Sequence, residues 1–139
     1  MKIIYETPDG GVAVVTPAPG KTINQIASTA VPSGTDYSII EDSAIPTSRR
    51  FRDAWQKSGT TVVVDVTKAK LIAVQSLRNT ALNVIEKCQE KTELGEAVAY
   101  TKQVLLAAYQ TALSTLQSKQ TISDIEYCVD QFSTVYEQN

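Results

Sequence analysis

The hydrophobic rhythm of the chain changes near Asp65. Before it, apolar residues come in short β-like runs; after it, they recur at spacings of three and four along three long segments. A chain patterned this way folds as α+β. Residues 1–66 are expected as a small β-hairpin or sheet with short helices, and residues 67–139 as a bundle of three long antiparallel helices or an oligomerisation unit.

Within the first part, Lys2–Glu6 and Val12–Thr16 are β-rich runs flanking Thr7-Pro8-Asp9-Gly10-Gly11. Proline fixes one turn dihedral there and glycine accepts positive φ, so a hairpin is expected. Thr22 and Gln25 have the spacing of a capping box and open a short helix from about Ile23 to Thr29. Pro32-Ser33-Gly34 ends it, and Asp36–Ile40 reads as a third strand. Thr47 or Ser48 then caps a short helix that places Phe51, Ala54 and Trp55 on one face. Gly59 closes it, and the β-branched run Thr60–Val66 is the fourth strand.

Asp65 or Thr67 caps the first long helix, whose stripe is Val74, Leu77, Ala81, Val84 and Cys88. Leu71, Leu82 and Ile85 widen the stripe, so this helix is expected to be covered on more than one side. A second helix is expected from about Leu94 to Ser118, with Val98, Leu105 and Ala112 on one line and Thr101, Ala108 and Thr115 on the next. The third begins at Thr121 or Ser123 and carries Ile122, Ile125, Val129, Phe132 and Tyr136. These lines fit shallow antiparallel crossings within one chain, and equally the association of the same stripes between copies, as in a homo-oligomer.

Composition narrows function more by what it omits. At 139 residues with 42% apolar content, the chain is long enough to bury a core. Thirteen basic against 15 acidic residues leave a net charge of -2, without the basic excess that releases counterions from nucleic acid, so no nucleic-acid partner is expected. The sequence has no histidine, the commonest general base and metal ligand, which argues against an enzyme and against a metal or cofactor site. Cys88 and Cys128 fall on helical stripes and are expected as buried thiols, with a disulfide between the helices as the alternative. The segment Met1–Glu6 turns polar too early for a secretory signal, and no run reaches the ~18 apolar residues of a membrane span. The expectation is a soluble protein without a membrane partner.

Three constellations bear on binding. Arg49, Arg50 and Arg52 form the densest basic cluster and could grip a phosphate or carboxylate, although Glu41, Asp42 and Asp53 offer local partners. Trp55 shares the expected face of Phe51 and is read as an anchor of the short helix, or else as an aromatic hot spot beside the arginines. Arg49, Arg50, Arg52 and Trp55 are therefore the candidate partner interface. The carboxylate pairs Glu93/Glu96 and Asp124/Glu126 are assigned to helix starts, where they offset exposed amides. Gly10-Gly11 and Pro19-Gly20 lack the spacing of a phosphate loop.

The run Ile45-Pro46-Thr47-Ser48-Arg49-Arg50-Phe51-Arg52-Asp53-Ala54-Trp55, followed by Val64-Asp65-Val66-Thr67-Lys68-Ala69-Lys70 and Arg78, resembles small proteins of tailed bacteriophages and prophages, commonly encoded beside tail-fibre genes. Ile26-Ala27, Val31-Pro32-Ser33-Gly34, Tyr37-Ser38-Ile39-Ile40 and Lys102-Gln103 extend the similarity over about Ile26 to Leu105. The third helix departs from that pattern. The resemblance implies phage origin and carries no catalytic residues. The expected role is a non-enzymatic structural or tail-fibre assembly protein whose partners are phage tail or fibre proteins, in the host cytoplasm during assembly or in the virion. The alternative is a small phage-encoded inhibitor of a host defence or regulatory protein.

Overall fold

The computed structural model describes residues 1–137; Gln138 and Asn139, the last two residues of the expected helical part, lie outside the described residues. The fold is α+β, with antiparallel strands in the N-terminal part and four α-helices. The chain divides into two compact units that meet in sequence between Asp65 and Val66.

In the first unit, β1 (Lys2–Glu6) pairs antiparallel with β2 (Val12–Val15) on one side and with β3 (Tyr37–Ile40) on the other, giving the order β2-β1-β3. The hairpin forms where the Pro-Asp-Gly-Gly turn places it. Thr7 and Gly11 close the loop backbone to backbone at 3.0 Å, and Gly10 supplies the positive φ of 84°. Asp9 braces the turn by accepting from the Gly11 amide and the Thr7 hydroxyl.

Both faces of this sheet are covered, which is why the consecutive residues Ile3 and Ile4 are both fully buried. On one face Ile3 packs with Ile26 and Ala27 of α1 (Ile23–Ala30), whose start is fixed by the reciprocal Thr22/Gln25 capping box. On the other, Ile4, Val12 and Ile40 pack with Trp55 and Val62 of a second hairpin, β4 (Trp55–Ser58) and β5 (Thr61–Val64).

That second hairpin corrects the sequence reading. The helix expected around Phe51–Trp55 is a single 3-10 turn, Arg52–Ala54, and Trp55 opens a strand. The cause is length: Gly59, with φ 58°, turns the chain back too soon for a helix to nucleate, and the β-branched partner Thr61–Val64 captures Trp55–Ser58. Phe51, Ala54 and Trp55 are nonetheless all buried, as the anchoring role requires.

The second unit holds α2 (Val66–Glu93), α3 (Lys102–Gln117) and α4 (Ile122–Tyr136), each packed against the other two. Val66, read above as the end of a strand, is the first residue of α2. Asp65 stands immediately before it, its amide donating to the Ala54 carbonyl at 2.8 Å. The buried line of α2 is Ala69, Ala73, Leu77, Ala81, Val84 and Cys88, all on one face. Leu71 and Leu82 do not extend it, being 68% and 50% exposed, whereas Ile85 is half-buried, so the expected widening of the stripe forms only in part.

The second long helix begins at Lys102, not Leu94. Gly95, at φ 75°, ends α2 in a Schellman motif, with Glu96 N–H donating to Lys91 C=O at 2.8 Å and Gly95 N–H to Thr92 C=O at 3.1 Å. Val98 therefore precedes the helix, Thr101 caps it by accepting from the Val104 amide, and Glu93 and Glu96 lie at a helix end rather than a start. Thr121 caps α4 as expected, and Asp124 sits in its first turn.

Contacts between the helices run in opposite senses. Lys70, near the start of α2, donates to the carbonyl of Gln117 at the end of α3, while Cys88, near the end of α2, reaches the carbonyl of Tyr100 just before α3. Tyr100 likewise stacks edge-on against Tyr136 at the end of α4, while Cys128 meets the Ala112 carbonyl.

Candidate functional site

The four sequence-predicted residues come together in the first unit, but in layers. Trp55 is 2% exposed, inside the cluster of Ile4, Val12, Ile40 and Val62. Above it, the Arg52 guanidinium lies 4.4 Å from the ring centroid and that of Arg49 lies 5.9 Å away, distances at which a cation is held by the negative face of the indole. Arg50 is placed 5.8 Å over the Phe51 ring instead.

Local backbone geometry sets this arrangement. The Arg52 amide donates to the Arg49 carbonyl and the Ala54 amide to the Phe51 carbonyl, two successive tight turns that turn Phe51 and Ala54 inward. The Ser48 hydroxyl accepts from the Arg50 amide. Arg52 is then tied to the sheet, its Nη2 donating to the Val12 carbonyl at 2.6 Å.

A partner reaching this surface meets Arg49 and Arg50, both exposed, and not the indole, which lies beneath. The one buried polar side-chain atom without a hydrogen-bond partner among the described residues is Trp55 Nε1. Of the expected local acids, Asp42 bridges the amino terminus at 3.4 Å.

The second unit carries a feature that sequence reading missed. Between α3 and α4 runs a groove of about 400 Å³, with Ala108, Thr111, Ala112 and Thr115 along one wall, and Tyr127, Gln131 and Val135 along the other. Cys128 and Phe132, both buried, form part of its lining, and Lys119 stands at the turn between the two helices. Rings of Tyr109, Phe132, Tyr136 and Tyr100 follow one another at centroid separations of 6.5, 5.0 and 4.9 Å.

No protein-family model, curated protein or solved structure matches the chain.

The two cysteines are free and buried, each donating to a backbone carbonyl: Cys88 to Tyr100 at 3.4 Å, Cys128 to Ala112 at 3.5 Å. Burial pushes the Cys128 thiol above its ordinary value, with the Lys119 ammonium drawing it part of the way back, so it stays protonated and a poor nucleophile at neutral pH. Among the described residues, no group of three His, Cys, Asp or Glu side chains is placed to hold a metal ion, and no helix is long and apolar enough to cross a membrane.

The groove was illegible in sequence because its walls belong to two helices whose mutual register is a tertiary property. The one available signal was the run of small residues Ala108, Ala112 and Thr115 on α3 facing larger residues on α4.

Proposed function

We propose that this chain is a non-enzymatic structural or tail-fibre assembly protein of a tailed bacteriophage, acting through protein–protein contacts, with its C-terminal helices folded as an antiparallel three-helix bundle. The observation that supports the contact role is a set of large apolar side chains left exposed on the helical unit: Leu71, Leu82, Leu94, Val104, Leu106 and Tyr127. Several such residues on one small unit are what a partner interface needs in order to exclude water.

The phage assignment rests on the Ile45–Trp55 motif. Ile45 and Trp55 belong to one core cluster, Phe51 and Ala54 are buried, and Arg52 staples the turn to β2, so the motif reads as a folding signature rather than a catalytic one. Tail or fibre proteins and further copies of this chain are the partners this reading names, in the host cytoplasm during assembly or in the particle.

Quantitative mass spectrometry of purified phage particles from the source host tests it. Stoichiometric copies support a virion component. Absence from the particle together with defective fibres on gene deletion supports an assembly chaperone. Absence with intact, infectious particles on deletion overturns both.

The exposed Arg49 and Arg50 favour one second reading, a small phage-encoded inhibitor that offers two cations to an acidic face of a host defence or regulatory protein. Recovery of one host protein by the wild-type chain, lost in an Arg49→Glu, Arg50→Glu variant, is its expected signature.

A further inference from the structure

We propose that the groove between α3 and α4 binds a small amphipathic anion, an apolar chain or ring carrying one carboxylate, with Lys119 holding the head group, a role independent of the phage reading. The volume of about 400 Å³ falls in the range of small-molecule sites, which are mostly apolar with a few polar groups fixing orientation. Ala108, Ala112, Phe132 and Val135 supply the apolar surface.

The charge pattern selects the ligand. Lys119 is the only charged residue lining the groove, is half-buried, and makes no side-chain hydrogen bond or ion pair among the described residues. A cation at one end of an apolar trough is stabilised by a carboxylate whose hydrocarbon body lies along the trough, and partial burial strengthens that attraction over what water allows. By contrast, the neighbouring cleft between α2 and α3 is lined by both Glu93 and Lys102, so it offers no net preference for an anion. Lys119 and Cys128 line the same groove, so the ammonium stands beside what lies over that part of it. Because the Cys128 thiol is protonated and occupied with the Ala112 carbonyl, it presents no anionic competitor for Lys119.

The test is titration of the full-length chain with monomeric dodecanoate and, in parallel, with dodecyltrimethylammonium, followed by amide NMR. The expected result is saturable one-to-one binding of dodecanoate, with shifts centred on residues 108–119 and 127–136, and binding of the cation weaker by roughly tenfold or more. Lys119→Gln, at a half-exposed position, should weaken dodecanoate by a similar factor. Thr111→Phe, an exposed position on the rim, should block the groove and abolish binding with the melting temperature preserved. Equal binding of the two amphiphiles, an unchanged affinity in Lys119→Gln, shifts centred elsewhere, or no saturation below micelle-forming concentrations each overturns the proposal.

Discussion

The Arg52 guanidinium sits 4.4 Å above the Trp55 ring while its Nη2 donates to the Val12 carbonyl at 2.6 Å, so one side chain closes the top of the core and ties the 3-10 turn to β2. Arg52→Ala removes both a cation–π contact and a charge-assisted hydrogen bond and should destabilise the chain by about 2 to 3 kcal/mol. Arg52→Lys should recover only part of this, because an ammonium lacks the planar fork. Arg49→Ala, exposed and 5.9 Å from the ring, should cost less than about 1 kcal/mol. Denaturant midpoints of the three variants order the contacts.

Trp55 packs with Ile4, Val12, Ile40 and Val62 in one buried cluster. Trp55→Ala should cost about 3 to 5 kcal/mol, and Phe51→Ala a similar amount, since both leave cavities under a packed sheet. Trp55→Phe should cost clearly less, because the indole Nε1 makes no hydrogen bond that the phenyl ring would forfeit. Equilibrium unfolding gives these values; a small loss for Trp55→Ala would mean that the ring is not a core element.

Gly95 ends α2 at φ 75°, a region that costs an L-residue about 1 to 2 kcal/mol. A Cβ there would meet no heavy atom within 4 Å, so Gly95→Ala isolates the conformational cost from any clash. A loss of about 1 kcal/mol in thermal or denaturant unfolding is expected. Gly95→Asn should lose less, because asparagine tolerates the left-handed region.

The same glycine explains where sequence reading stopped short. Turn and cap chemistry is local, so the Pro8–Gly11 hairpin, the Thr22/Gln25 box and the Thr121 cap all stand where their residues indicate. Gly95 is equally local, and the apolar lines through Val98 and Thr101 overrode it; the loop 94–101 follows from the glycine, not from the periodicity. Phe51 and Trp55 differ in kind: spacings of three and four place residues on a helix face only if a helix forms. Trp55–Ser58 carries no β-branched residue to reveal the strand that pairing with Thr61–Val64 imposes. Burial of Phe51, Ala54 and Trp55 was legible, whereas the stacking of Arg52 over Trp55 and the α3–α4 groove depend on long-range register and were not.

Burial raises the Cys128 thiol above its ordinary value near 9.0, so the folded state prefers the protonated form more strongly than the unfolded chain does. The resulting contribution is fully present below the unfolded-state value and is lost as pH rises from there toward the folded one. Unfolding midpoints should therefore fall as pH rises past the ordinary thiol value of 9.0, and Cys128→Ala should remove part of that slope. Labelling by a thiol reagent under native conditions should be slow and should accelerate on unfolding.

Leu71 and Leu82 are separated by three helical turns, which brings them to nearly the same line on the outside of α2, at 68% and 50% exposure. Two leucines on a solvent-facing line add nothing to the core of one chain; under the proposed contact role they are residues that a second copy or another partner would cover. The double variant Leu71→Ser, Leu82→Ser should leave single-chain stability within about 1 kcal/mol, since surface substitutions of this kind are individually small. Analytical ultracentrifugation should show the wild type associating with rising concentration and the variant remaining a monomer. Association that survives in the variant would move the contact to another exposed apolar site, such as Tyr127 of α4.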